Sequence, residues 1–153
     1  MSVKEKNAVI ALDAFVPYQI SVLADLIARR SAAITKSCGI NLSQWRVLAA
    51  IADQPGRTAN EVTSVTPMDK GIVSRAVKGL LELGLLIRNA SQEDGRLAHL
   101  FLTPKGRRTY LKLACEIRKI ETHMSMSVPK KGWAQMSSLL NDIVKDFPAK
   151  QNS

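Results

Sequence analysis

Lys70, Gly71, Ser74, Arg75 and Lys78 are the residues whose types and spacing point most directly to chemistry. Gly71, Ser74, Arg75 and Lys78 recur at i, i+3, i+4 and i+7, so on a helix they share one face, flanked by Lys70 and free of bulky apolar groups. Such a face offers a hydroxyl and cationic donors to an anion. The planar guanidinium of Arg75 matches the O6 and N7 acceptors of guanine, while the ammonium groups of Lys70 and Lys78 suit phosphates. A solvated surface is the ordinary outcome for charges at helical spacing, so the elements that would present this face have to decide between the two.

The stretch Thr66 to Gly84 reads as one short helix. Thr66 is the expected N-cap, Pro67 suits N1, and Asp69 at N3 can reach back. Gly84 supplies the stop. Val73, Ala76, Val77, Leu80 and Leu81 form the side that faces a core. Just before it, Thr58 and Glu61 bracket a capping box for a helix of about two turns carrying Val62 and Val65, with Asn60 near its start. Two short capped helices joined by a brief turn make a helix-turn-helix. By this reading Thr66, Pro67, Met68, Lys70, Gly71, Ser74, Arg75 and Lys78 form the surface offered to DNA. The start of the preceding helix, near Thr58 and Asn60, could present amides to a phosphate.

Upstream, Ser43 is the expected cap of a helix with Trp45, Leu48, Ile51 and Ala52 inward, ended by Gln54-Pro55-Gly56. Before that, Pro17 opens a long helix whose stripe of Ile20, Leu23, Ala24, Ile27 and Ile34 is longer than a small neighbour could cover, which makes it a candidate subunit contact. Downstream, Leu85 to Asn89 and Ala98 to Leu102 read as two strands joined by a polar, projecting segment. Thr103-Pro104 then restarts a helix to about Met126. Pro129 opens a last one, with Trp133, Met136, Leu139, Leu140, Ile143 and Phe147 on one side.

Composition sets the bounds. At 153 residues the chain holds one domain or a domain with an oligomerisation arm. Its 22 Lys+Arg against 13 Asp+Glu give a formal charge of +9 and a pI near 9.9, a basicity that fits nucleic acid, a membrane surface or an acidic protein. The stretch from Lys105 to Lys119 has six cations and one acid, so the charge is concentrated. Whether Arg88, Lys105, Arg107 and Arg108 touch phosphates or only add charge stays open. No apolar run approaches the roughly 18 residues of a bilayer span, and MSVKEKN lacks a signal-peptide core, so a cytoplasmic protein without a membrane partner is expected. No phosphate loop, zinc spacing, nucleophile elbow or acid pair appears, so neither an enzyme nor a cofactor or metal is expected. His99 and His123 stand apart from any carboxylate or thiol partner in sequence. Cys38 and Cys115 lack metal or redox spacing and read as reduced packing thiols. Phe15, Tyr18, Trp45 and Trp133 read as core, although aromatic walls would also suit an aromatic ligand.

The run LLELGLLIRNASQEDGRLAHLFLTPKG, residues 80–106, together with TPMDKGIVSRAVKGL before it, resembles the MarR family of dimeric winged-helix transcription factors, in its Leu-x-x-x-Gly-Leu-Ile-x-Arg, Asp-x-Arg and Leu-Thr-x-x-Gly sequences. The resemblance implies a mainly α (α+β) winged helix-turn-helix with a two-stranded wing. Residues 38–103 would be the DNA-binding lobe, and 1–37 and 104–153 a helical dimerisation region. It implies that Asp94 and Arg96 are the wing pair, the Arg reaching minor groove or phosphates and the Asp orienting it. It further implies a homodimer on a pseudo-palindromic operator, in most cases a repressor, released by a small aromatic or phenolic effector. Two alternatives stay open: a winged-helix module that binds an acidic protein partner, and a regulator that senses oxidants through cysteine.

Overall fold

Eight elements occur among residues 9–90 and 98–147, the residues described by the computed structural model. They are α1 (Val16–Lys36), α2 (Leu42–Asp53), α3 (Ala59–Val65), α4 (Lys70–Glu82), β1 (Leu86–Ala90), β2 (Ala98–Leu102), α5 (Pro104–Met126) and α6 (Lys130–Asp146). The fold is therefore mainly helical with one antiparallel hairpin, in the expected order. Contacts divide the chain into two units, Met1–Glu116 and Ile117–Ser153.

The first unit is built around α2 and α4. Val47, Leu48 and Ile51 of α2 meet Val73, Val77 and Leu80 of α4, with Val62 of α3 and Leu86 and Leu100 of the hairpin closing the core. Ala50 of α2 is also buried, whereas Trp45 and Ala52, expected inside, are half-buried. Trp45 stacks instead on Tyr110 of α5, ring centroids 5.5 Å apart and 12° from parallel. Phe15 and Tyr18, also expected in the core, are exposed.

Caps decide where these helices begin, and two differ from expectation. α2 is capped by Asn41 rather than Ser43: the Asn41 side chain accepts from the Gln44 N–H while the Gln44 side chain accepts from the Asn41 N–H, both at 2.9 Å. In α4 the cap is Asp69, whose Oδ1 accepts from the Ile72 N–H at 2.7 Å. Thr66 belongs to the end of α3, donating its hydroxyl to the Val62 carbonyl at 2.8 Å. The reason is Met68, which is only 2% exposed and sits in the core. Burying that side chain pulls the turn inward, so the helix starts after it. At the other end of α4, Leu85 N–H donates to Leu80 O and Gly84 N–H to Leu81 O, a Schellman closure with Gly84 at φ +67°.

The expected Thr58–Glu61 capping box is formed in both directions. Thr58 donates to the Glu61 carboxylate through its backbone N–H at 2.7 Å and its hydroxyl at 2.8 Å, and these bonds, the backbone one first, hold the Glu61 carboxyl below its ordinary value. A lowered folded value means that the stabilisation is present above the ordinary carboxylate range and is lost as pH falls through the folded value. Acidification should therefore fray the first turn of α3 while the core stays closed. Amide exchange at Thr58 and Glu61, followed against pH, should accelerate at the acid end; a rate at those two amides that ignores protonation of Glu61 would remove the box as the cause.

The hairpin pairs Leu86 with Leu102, Arg88 with Leu100 and Ala90 with Ala98. Its base is also tied to the loop after α2, where Gly56 N–H donates to Leu100 O at 2.9 Å and Leu100 N–H to Arg57 O at 3.1 Å. His99 adds a ring contact, Nδ1 to the Gly56 carbonyl at 2.8 Å, a structural role. Arg57 itself turns back over α2, donating to Ala50 O at 2.6 Å and pairing with Asp53 at 2.9 Å.

Outside this core the apolar stripes are uncovered. On α1, Ile20 and Leu23 are exposed, Ile27 and Ile34 half-buried, and only Ser31 and Thr35 fully buried. In the second unit α6 has no buried residue, and Leu139, Ile143 and Phe147 are exposed. Among the described residues no helix is long and apolar enough to cross a membrane.

Candidate nucleic-acid interface

Gly71, Ser74, Arg75 and Lys78 are all exposed and share one face of α4, while Val73, Ala76, Val77 and Leu80 are buried on the other. The core thus fixes the rotation of the helix about its axis, and that rotation turns the donors outward. Arg75 leans back over the first turn: a Cβ added to Gly71 would stand 3.5 Å from an Arg75 Nη1 and 3.3 Å from Asp69 Oδ1. Lys70 is exposed at the first helical position, where the helix dipole disfavours a cation unless an anion lies beside it. Lys78 faces Glu82 at 4.0 Å with both side chains largely in water, a pairing that solvent screens to little net worth.

The remaining expected contacts distribute unevenly. Pro67 is exposed in the turn, but Thr66 is half-buried with its hydroxyl engaged, and Met68 is a core residue, so Met68 is not part of the outward face. Asp94 and Arg96 lie outside the described residues. At the start of α3 the Thr58 and Glu61 amides are held by the capping box, and the Glu61 carboxylate brings negative charge to the place where a phosphate was expected near Thr58 and Asn60. Lys105 is accounted for, since its Nζ donates to Leu83 O at 2.9 Å and closes the end of α4. Arg88 and Arg108 are exposed.

Two concavities flank α4 and α2. A groove of about 320 Å³ runs between the first turn of α2 and α4, lined by Asn41, Ser43, Ile72, Arg75 and Ala76. On the far side of α2 a cleft of about 240 Å³ has Ile51, Pro55, Phe101 and Tyr110 as walls and Arg107 at its edge. Neither Asn41 nor Gln44 was expected near the interface, yet the spacing Asn-x-x-Gln is itself a capping-box signal. Cys38 is half-buried against the core and Cys115 is exposed, so only Cys38 packs as expected of both; neither is in a disulfide.

This arrangement has close counterparts. The family model described as MarR family matches residues 39–97, which take in α2, α3, α4 and β1. The structure superposes on a MarR-family regulator from Silicibacter pomeroyi with a TM-score of 0.83, at 20% identity over 99% of each chain. The chain is similar to the MarR family in sequence over residues 39–97 and in fold throughout. A MarR/EmrR-family regulator from Acinetobacter sp. ADP1 matches with a TM-score of 0.78 at 26% identity, covering 89% of this chain and 96% of that one. In sequence, the HTH-type transcriptional regulator BilQ of Clostridium symbiosum is 28% identical over 107 residues, 70% of this chain and 74% of its own. The fold is a winged helix-turn-helix, with α3 and α4 as the helical pair and β1 and β2 as the wing strands. The MarR-type Leu-Thr-x-x-Gly sequence acquires a physical meaning here: Thr103 N–H donates to Leu85 O and its hydroxyl to Gly84 O, while Gly106 packs directly on the Leu85 backbone.

Proposed function

We propose that this chain is a homodimeric, operator-specific repressor that lays α4 into two successive major grooves and is released by a small aromatic anion. The observation that carries the reading is the rotation of α4: one side is locked into the core, and the side with Ser74, Arg75 and Lys78 is exposed. In this reading residues 38–103 are the DNA-binding lobe, with Asp94 and Arg96 as its wing pair by resemblance, and residues 1–37 and 104–153 carry dimerisation. Support for a second subunit comes from the uncovered stripes of α1 and α6, which a partner copy would remove from water at about 25 cal/mol per Å² of apolar area. A Staphylococcus aureus MepR variant bound to an oligodeoxyribonucleotide shares the fold, at a TM-score of 0.56 and 16% identity. So does CouR of Rhodococcus jostii RHA1 bound to p-coumaroyl-CoA, at 0.79 and 18%.

The effector seat we assign is the cleft walled by Phe101 and Tyr110 with Arg107 at its edge. Its volume of about 240 Å³ lies below the roughly 300–1,000 Å³ of drug-sized sites, which favours a single-ring anion held by the guanidinium. Binding there would favour a dimer with a different spacing of its α4 helices and so shift the population away from the operator-competent form. Such a regulator acts in the cytoplasm, where its operator is.

Selection of bound duplexes from a random-sequence library tests the core of this. The expected product is a pseudo-palindrome with half-sites about one helical turn apart. Affinity for it should fall with salt at a log–log slope of about −0.9 per phosphate neutralised. Recovery of no enriched sequence, together with binding to an acidic protein partner, would favour the interaction-module reading instead.

A further inference from the structure

Gly79 has no conformational reason to be glycine. It lies inside α4, where glycine is a poorer helix former than alanine, and the positive-φ glycines among the described residues are Gly39, Gly56 and Gly84. Its reason is spatial. A Cβ at position 79 would stand 2.6 Å from Nε2 of Gln44, closer than atoms can approach.

Ordinarily the tip of a glutamine would swing aside. Gln44 is restrained because its Oε1 accepts the Asn41 N–H at 2.9 Å, while Asn41 Oδ1 accepts the Gln44 N–H at 2.9 Å. Moving the amide removes half of the cap of α2. The amide therefore rests on the bare backbone of α4 at Gly79, one turn beyond Arg75. Ile72, Arg75 and Ala76 continue the same side of α4 along the groove that Asn41 and Ser43 line from α2.

We infer that Gly79 and Gln44 form a positioning contact that sets how far α4 stands from the first turn of α2, and so where Arg75 is held for base readout. This rests on the reading of α4 as the DNA-reading helix. A methyl group at 79 either lifts α4 away from α2 or expels the Gln44 amide and loosens Asn41, and both displace Arg75. Two-point hydrogen bonding to a base edge is sensitive to such displacement, because it weakens steeply with distance and angle, whereas phosphate attraction is not.

The test uses the full chain as wild type, Gly79→Ala, Gln44→Ala and the double variant. Each is titrated by fluorescence anisotropy against the operator selected by the wild type and against a scrambled duplex of equal length, with thermal unfolding recorded in parallel. The expected result for Gly79→Ala is a loss of about tenfold on the operator with unchanged affinity for the scrambled duplex. The two losses should not add: the double variant should bind the operator about as well as the weaker of the two single variants, because both substitutions act through one contact, a coupling that a general destabilisation would not produce. The inference is overturned if Gly79→Ala binds the operator like wild type, if it loses equally on both duplexes, or if the losses of the two single variants add in full in the double variant. Should Gly79→Ala fail to fold, the operator-to-scrambled ratio of Gln44→Ala decides: a drop of about threefold or more supports the contact and an unchanged ratio overturns it. A wild type that selects no operator removes the underlying reading, a failure visible before any variant is made.

Discussion

Gly106→Ala is expected to cost about 3 kcal/mol of folding stability, at the upper end of what overpacking a well-filled site does. Gly106 is buried at the start of α5, and a Cβ there would overlap the Leu85 carbonyl oxygen and stand 2.9 Å from the carbonyl carbon. Those are backbone atoms and have little room to move. Leu85 O already accepts Thr103 N–H at 3.1 Å, the Thr103 hydroxyl donates to Gly84 O at 2.7 Å and receives Gly106 N–H at 2.9 Å, and Lys105 caps Leu83 O. Relieving the overlap means breaking this strap between the end of α4 and the start of α5. The unfolding midpoint should fall by roughly 10 °C for a chain of this size. Urea titration and a thermal scan would check it; a loss under about 1 kcal/mol would mean that α5 slides past Leu85 more easily than this geometry allows.

Arg75→Ala should leave folding unchanged and lose about 1–3 kcal/mol of affinity for the selected operator, with little change on random duplex. The side chain is exposed and no ion pair holds it among the described residues, so its removal opens no cavity. Its contribution should therefore lie in base readout, not in the fold. Lys78→Ala provides the contrast. If Lys78 meets phosphate, its loss should weaken both duplexes alike and reduce the salt slope by about 1. Competition binding on the two duplexes at several salt concentrations separates the pair, and an equal loss for Arg75→Ala on both would reassign it to the phosphate backbone.

Much of this architecture could be read from sequence because local signals and burial agree. The two faces of α4, the capping box at Thr58, the strand from Ala98 to Leu102 and the Thr-Pro restart at position 103 each have a periodic or capping cause within a few residues. Reading failed where two local signals competed and packing chose between them. Thr66-Pro67 and Asp69 both offer a helix start, and only the burial of Met68 selects Asp69. Asn41 and Ser43 compete in the same way, and the reciprocal bond to Gln44 selects Asn41. Glycines inside helices were opaque for a different reason. Nothing near Gly79 or Gly106 in the chain says why glycine stands there, whereas in space each marks an approach of another backbone or a pinned side chain. The outward face of α4 was legible, therefore, and the close approaches at Gly79 and Gly106 were not.

The bare surface of α6 has a further consequence. None of the seventeen residues of α6 is buried and only Gly132, Trp133 and Met136 are half-buried, so packing within the described residues contributes little to holding this helix. In the proposed homodimer a second copy covering Leu139, Ile143 and Phe147 would supply the missing packing, and that contribution is lost on dilution. Helical ellipticity per residue should then drift downward as the protein is thinned, before the winged lobe loosens at all.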